Sequence, residues 1–389
     1  MMIHRPYLTI FLFFISSTIS LPASAQYDSI RFDDQNRTFL LHLPKGYDTG
    51  QSYSLIIAMH GGFGSAMNLQ NQSQLSKKAD AAGFIVVYPE GVKGGALNIR
   101  TWNAGWCCGY ASRTRVDDVG FISALIDHLV ARYAVDAKRI YATGMSNGGF
   151  MAYTLACELS DKIAAIAPVA ASMSMTSCNP ERSPVPIIHF HSYKDTNVPY
   201  LGGQGSGTSK HHNSPQDSVM DVWALSNGCD IPWDTVVHND QYTFTKKINC
   251  ACQSEIHRYL TRDGGHSWPG GRRTVTGNPV SKYINANDLM WAFFQKYSLE
   301  CVPTATNNIK KEPSVSFELY PNPTIDVIRI RLSQPVNKFK VIIYNSLGQP
   351  VLSQDNTTMV DLTGQMPGMY MLTLKMDQLE QSKKLVIVR

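Results

Sequence analysis

Between Tyr27 and about residue 299, short apolar runs alternate with stretches whose apolar positions recur at helical spacing. Residues 38–43 and 55–59 are apolar and β-prone, 66–82 has helical spacing, and 84–88 (FIVVY) reads as a buried strand. Residues 121–133 form an amphipathic helical pattern, 140–143 a short strand, and 150–159 a helix. Strands are predicted at 163–167 and 187–190, and helices at 219–225 and 286–297, the last after the strand-like 255–260. Strands alternating with helices predict a mainly parallel sheet covered on both faces. One such domain accommodates about 270 residues.

The pattern changes near residue 300. VPTATNNIKKEP (302–313) is polar, holds two prolines and shows no period, which marks a linker. Beyond it, residues 327–332, 338–344 and 369–374 mostly alternate apolar and polar positions, separated by Asn345, Gly348, Asp355, Asn356, Gly364 and Gly368. Period two with turn residues between predicts a small antiparallel β-sandwich of about 75 residues. At the other end, His4 and Arg5 precede the apolar run LTIFLFFI (8–15), and Ala23-Ser24-Ala25 follows. A positive start, a short apolar run and small residues spaced A-x-A predict a secretory signal peptide over residues 1–25. The run is broken by Ser16, Ser17, Thr18 and Ser20, short of the roughly 20 apolar residues a membrane anchor needs.

Export changes how the eight cysteines are read: outside the cytoplasm they are expected in disulfides, with no pairing deducible from spacing. Cys229, Cys250 and Cys252 lack the C-x-x-C spacing of zinc sites, and His211-His212 lacks further ligands, so no metal is expected. The formal charge of +5 is too mild and too dispersed to suggest nucleic acid.

Candidate chemistry begins at GMSNGG (144–149), directly after a predicted strand. The pattern G-x-S-x-G suits a nucleophile on a strained strand-to-helix elbow, Ser146, where side chains other than glycine would collide. A serine hydroxyl needs a base, and the base needs a third group to fix its tautomer. In α/β-hydrolases these follow in the order Ser, Asp or Glu, His. Asp195 falls just past the strand 186–191, at the sheet edge where such folds gather their sites. His266 lies in DGGHSWPGG (263–271), with glycines on both sides. Asp263 is too close to His266 in sequence to orient it well, Asp117 and Asp118 look like helix-capping carboxylates, and His189 and His191 share one strand face as structural histidines. For the oxyanion, HGGFG (60–64) follows a strand and offers the N–H of Gly62, with Phe63 the alternative; the second donor is the N–H of Asn147. The same glycine-rich turn lacks G-K-[ST], so no nucleotide is expected, and no cofactor is implied.

With those residues named, 27–297 resembles the secreted polyhydroxybutyrate depolymerase-like esterases, which overlap carbohydrate esterase family 1 feruloyl and acetylxylan esterases. The resemblance rests on HGGFG, WNAGWCCGYASRTRVDDVGF, GMSNGGFMAY, HSYKDTNVPY and GGHSWPGG. It implies an α/β-hydrolase fold, Ser146 as nucleophile, His266 as base then acid, Asp195 as orienter, and hydrolysis through an acyl-enzyme. In the acid turn, Ser192 stands where relatives usually carry glycine, beside a bulky Tyr193. The tail resembles the C-terminal sorting domain of the type IX secretion system, through LYPNPT (319–324), IYNSLGQ (343–349) and GMY (368–370) before KKLVIV (383–388). The implied partner is that secretion machinery, and the implied location is outside the cell or on its surface, reached through the periplasm.

The expected organisation is therefore a signal peptide (1–25), an esterase domain (26–300), a linker (301–314) and a sorting domain (315–389). Trp102, Trp106 and Trp268 fall in loops expected near the catalytic edge, where flat faces stack on phenolic acyl groups or sugars; the alternative is that they pack the loops onto the sheet. The absence of a separate substrate-binding module favours feruloyl or acetyl esters of plant-wall xylan over a polyester. A non-catalytic binding protein on a hydrolase scaffold is the competing class, set against an intact triad.

Overall fold

A computed structural model describes residues 25–174, 184–207, 209–229, 233–273, 277–300, 317–345, 349–376 and 379–388. The expected signal peptide (save Ala25) and linker lie outside these residues. The described residues fall into two compact units, one ending at residue 300 and one beginning at 317, and each is taken by itself.

In the first unit the strands are β1 (Gln26–Phe32), β2 (Gln35–His42), β3 (Tyr53–Met59), β4 (Ile85–Pro89), β5 (Val92–Gly94), β6 (Ile99–Thr101) and β7 (Val135–Met145). They continue with β8 (Ala165–Val169), β9 (Ile187–Ser192), β10 (Gly203–Gln204), β11 (His212–Asn213), β12 (Asp234–His238), β13 (Tyr242–Lys247) and β14 (Ile256–Thr261). The helices are α1 (Ala66–Ser73), α2 (Leu75–Ala82), α3 (Gly109–Arg113), α4 (Asp118–Arg132), α5 (Asn147–Glu158), α6 (Gln216–Ser226) and α7 (Ala286–Phe294).

Ten strands make one sheet in the order β1-β2-β4-β3-β7-β8-β9-β14-β13-β12. The centre, β4-β3-β7-β8-β9-β14, is parallel, and the outer pairs are antiparallel. Helices cover both faces, so β3, β4, β8 and β9 are buried along their whole length; β3, β4 and β8 are almost wholly apolar, while β9 also buries His189, His191 and Ser192. One core cluster packs α4, α5 and α6 on the sheet; the other packs α1, α2 and α7. Because the central strands run the same way, the turns after β3, β7, β9 and β14 emerge at one edge.

The helix expected over 66–82 is two helices, broken where Gln74 turns left-handed (φ 58°). The strand expected at 140–143 begins earlier, at Val135. Asp117 caps α4, its carboxylate accepting from the Gly120 N–H at 2.8 Å. Asp118 does otherwise than expected: it is buried and pairs with Arg37 of β2 at 2.6 Å, while its other oxygen accepts from the Asn103 N–H at 2.8 Å. Cys107 is bonded to Cys108 and Cys229 to Cys250, Cys157 and Cys252 are disulfide-bonded as well, and no free thiol occurs among the described residues.

The second unit holds β15 (Phe317–Tyr320), β16 (Val327–Leu332), β17 (Lys340–Tyr344), β18 (Pro350–Asp355), β19 (Met359–Asp361), β20 (Gly368–Met376) and β21 (Leu379–Ile387). They form two antiparallel sheets, β15-β16-β19 and β18-β17-β20-β21, with Ile328, Val341, Ile343, Leu372 and Leu374 in the core between alternating polar positions.

Candidate active site

β7 ends at Met145 and α5 starts at Asn147, leaving Ser146 alone to make the turn. Its backbone sits at φ 55°, ψ −126°, a region that L residues rarely adopt. The strained turn is pinned by the Ser146 N–H donating to the Val169 carbonyl (3.0 Å) and by its own carbonyl accepting from Gly149 (2.7 Å) and Phe150 (2.9 Å). Close packing explains the glycines: a Cβ on Gly148 would lie 2.0 Å from the Met59 carbonyl oxygen. A Cβ on Gly144 would lie 2.4 Å from the Gly148 backbone.

Asp195 follows β9 and His266 follows β14, neighbouring parallel strands. Their side chains meet, His266 Nδ1 lying 2.8 Å from Asp195 Oδ2. A carboxylate only accepts, so the imidazole proton is on Nδ1 and Nε2 keeps a lone pair. Asp195 Oδ1 accepts from the N–H groups of Asn197 and Val198, both at 2.9 Å, which fixes the carboxylate within its own turn. Burial pushes the Asp195 pKa up, but the imidazole of His266, then that of His191, and the Val198 N–H more than reverse this, and the carboxyl lies below its ordinary range. Ser192 stitches the two loops: its hydroxyl donates to the Asp263 carbonyl at 3.0 Å and accepts from the Lys194 N–H at 3.1 Å. Asp263 itself takes the Ser281 hydroxyl (2.5 Å) and the Lys282 N–H (2.8 Å) on its carboxylate, a loop latch apart from His266. Among the described residues no hydrogen bond joins Ser146 Oγ to His266; such links commonly tighten only when substrate is bound.

The loop after β3 runs against the nucleophile: a Cβ on Gly61 would be 3.2 Å from Ser146 Cβ. His60 shapes that loop. It is buried, its Nδ1–H donates to the Gly61 carbonyl (2.7 Å), and its Nε2 accepts from the Gly91 N–H (3.0 Å). The Gly64 N–H also donates to the Gly61 carbonyl, at 3.0 Å. A trans peptide is planar, so pinning the carbonyl of Gly61 also aims the opposed N–H of Gly62. Burial holds His60 neutral, lowering its pKa to about 4. The N–H of Phe63, the alternative donor, is occupied by the Arg100 carbonyl at 3.2 Å. Asn147 supplies the first N–H of α5, where the helix leaves its N–H groups unpaired and the dipole favours negative charge.

Two of the three tryptophans are corrected. Trp102 and Trp268 are fully buried and offer no face to a ligand. The Trp102 indole N–H donates to the His60 carbonyl (2.9 Å), and that of Trp268 to Asn287 Oδ1 (3.0 Å). Amphipathic rings with one polar atom satisfy both ends inside the core there. Trp106 differs: it is 69% exposed, its backbone held by the Ser174 carbonyl at 3.0 Å. Phe63, weighed only as a backbone donor, is 53% exposed beside Gly62. Its residue type in an oxyanion-loop position was the available signal.

A parallel sheet with an elbow serine, an acid and a histidine at its carboxyl edge defines an α/β-hydrolase unit. Residues 37–178 match the family model described as Esterase PHB depolymerase. Residues 318–388 match the Secretion system C-terminal sorting domain. The chain is similar to Feruloyl esterase B of Piromyces equi, 34% identical over 201 residues, 50% of this chain and 36% of that protein. It is also similar to Probable feruloyl esterase C of Aspergillus terreus, 26% identical over 265 residues, 66% of this chain and 83% of that protein. It thus spans about a third of the Piromyces protein and most of the Aspergillus one. A solved acetyl xylan esterase from Aspergillus awamori overlaps 70% of this chain and 99% of its own at 14% identity and a TM-score of 0.49. The first unit belongs to the carboxylic ester hydrolase class, and the second is a sorting-type domain.

Proposed function

We propose that the protein is a secreted serine esterase that cleaves feruloyl or acetyl esters of plant cell-wall xylan through an acyl-enzyme. The observation that carries this is the 2.8 Å contact between His266 Nδ1 and Asp195, at the same sheet edge as the strained Ser146. His266 Nε2 takes the Ser146 proton as the hydroxyl attacks the ester carbonyl, and the N–H groups of Gly62 and Asn147 receive the oxyanion. His266 then returns the proton to the leaving alcohol, and a water molecule repeats the sequence to release the acid. Support for the acyl preference comes from the feruloyl esterases the chain resembles and from the exposed rings of Phe63 and Trp106. The family match keeps a polyester depolymerase as the second reading.

Parallel assays on methyl ferulate, acetylated xylan and polyhydroxybutyrate test the substrate. Turnover of the polyester alone overturns the plant-wall reading, and absence of fluorophosphonate labelling at Ser146 overturns the mechanism. The second unit is an address for the type IX machinery, taking the enzyme outside the cell or to its surface. Truncation before residue 314 is expected to abolish export while leaving esterase activity in the retained chain.

A further inference from the structure

Three buried side chains outside the triad make a hydrogen-bonded chain that ends at the Asp195 turn. Tyr153 lies about two turns into α5, the helix that begins at the nucleophile. Its hydroxyl is 2.9 Å from His189 Nδ1, and His189 Nε2 is 3.0 Å from His191 Nδ1. His191 Nε2 is 2.8 Å from the Val198 carbonyl and 3.5 Å from Asp195 Oδ2, the oxygen that also meets His266. Gln216 of α6 closes the outer end, its Nε2 3.1 Å from the Tyr153 hydroxyl. All four side chains are buried.

Burial keeps both imidazoles neutral. It drives His189 well below the ordinary histidine range, helped by His191 and Arg258, and it lowers His191 against the opposing pull of Asp195. With neutral rings, one placement of protons satisfies every link. The Val198 carbonyl can only accept, so the His191 proton is on Nε2. Its Nδ1 then accepts, and His189 must donate from Nε2. His189 Nδ1 is left to accept the Tyr153 O–H, and the Gln216 amide donates to the tyrosine oxygen. Reversing the chain would turn a lone pair of His191 onto two acceptors, the Val198 carbonyl and the Asp195 carboxylate.

We propose that Tyr153, His189 and His191 are positioning residues: together with the Val198 carbonyl they hold the His191 N–H toward the Asp195 oxygen that orients His266, and so tie the acid to the nucleophile helix. The proposal rests on the serine-esterase reading. It gives a buried histidine pair a task in the reaction, since Asp195 must stay ionised and in place as His266 becomes an imidazolium. Neither His189 nor His191 touches the reacting atoms, so their effect falls on turnover rather than on substrate binding.

The test uses full-length protein labelled with 15N-histidine. Both imidazoles are expected to show a protonated Nε2 and an unprotonated Nδ1 at neutral pH. Tyr153→Phe removes the donor to His189 Nδ1, and His189→Leu removes the donor to His191 Nδ1. Each is expected to lower kcat on p-nitrophenyl acetate by about tenfold with KM within about twofold, the rate equivalent of losing about one net buried hydrogen bond. His189→Gln keeps an N–H in place of Nε2 and is expected to recover about threefold over His189→Leu, part of that hydrogen bond. A proton on Nδ1 of either ring in the wild type overturns the proposal, whatever the variants do. So do equal kcat values for wild type, Leu and Gln proteins that all label at Ser146 with a fluorophosphonate. If the wild type does not label, the serine-esterase reading fails and the proposal with it; the label tells the two failures apart.

Discussion

The side-chain amide of Asn147 is bound to the backbone of Trp102 at both ends. Its Oδ1 accepts from the Trp102 N–H at 2.7 Å, and its Nδ2 donates to the Trp102 carbonyl at 3.1 Å. The residue after the nucleophile therefore clamps the loop whose indole supports His60. Asn147→Ala strands the buried Trp102 N–H, at about 1–3 kcal/mol, and leaves the Trp102 carbonyl with the Cys108 N–H at 3.3 Å alone. Urea unfolding should show that loss. Because alanine keeps the N–H proposed for the oxyanion, turnover should fall far less than in Ser146→Ala.

Ser146→Ala and Asp195→Asn address the triad directly. The asparagine presents an N–H₂ to His266 or forces the wrong tautomer, and kcat is expected to drop about ten-thousand-fold. Steady-state kinetics on p-nitrophenyl acetate measures it. A drop of only a few-fold would move the orienting role away from Asp195.

The Arg37–Asp118 pair ties β2 to α4 in the core, with the Arg37 guanidinium 3.9 Å from the centre of the Phe121 ring. Asp118→Ala leaves a buried cation unpaired and is expected to cost about 3–5 kcal/mol. Replacing both partners together, Arg37→Met with Asp118→Leu, should recover most of that in the same denaturant titration.

Acid should destabilise the first unit in a defined window. His60 stays neutral in the folded protein down to about pH 4, whereas an unfolded imidazole takes up a proton near 6.5. The unfolded chain thus binds a proton that the native state refuses, and stability falls as pH drops from about 6.5 to about 4, then levels. His60 alone contributes roughly 3 kcal/mol across that range. Glu255 adds to the trend at lower pH: the His257 hydrogen bond, then the charges of His257 and Lys296, oppose burial and hold its pKa at about 2. Its stabilisation, present above its unfolded value, fades as pH falls toward 2. Thermal melts at pH 7, 5.5 and 4.5 check this, and His60→Asn should flatten the upper part of the curve.

The tryptophans separate by where they sit. Trp106→Ala should raise KM for methyl ferulate several-fold without altering the melting temperature. Trp102→Ala and Trp268→Ala should instead cost about 3–5 kcal/mol of stability, as large core truncations do. A destabilised Trp106 variant with unchanged KM would remove that ring from the substrate site.

Chain order and strand ends mark Ser146, Asp195 and His266 as candidates, because glycines or turn residues stand beside each next to a buried apolar run; the structure adds the contact between Asp195 and His266 and the strained turn at Ser146. The central parallel strands were equally plain, since burial on both faces leaves them almost wholly apolar. β1 was missed because most of it is exposed, and the β12–β13 hairpin because its edge strand faces water. The break at Gln74 was invisible, as glutamine gives no sign of a left-handed turn. Trp102 and Trp268 were misread for a different reason: a loop position says nothing of which way a ring points. Asp118 looked like its neighbour Asp117, and only the fold could bring Arg37 to it.

The interlock of His60, Trp102 and Asn147 has a practical meaning for anyone wishing to change which ester this enzyme accepts. That group is foundation, and altering it would trade away the scaffold together with the chemistry. Libraries are better concentrated on Phe63 and Trp106, whose rings face water and can be resized without disturbing the masonry underneath.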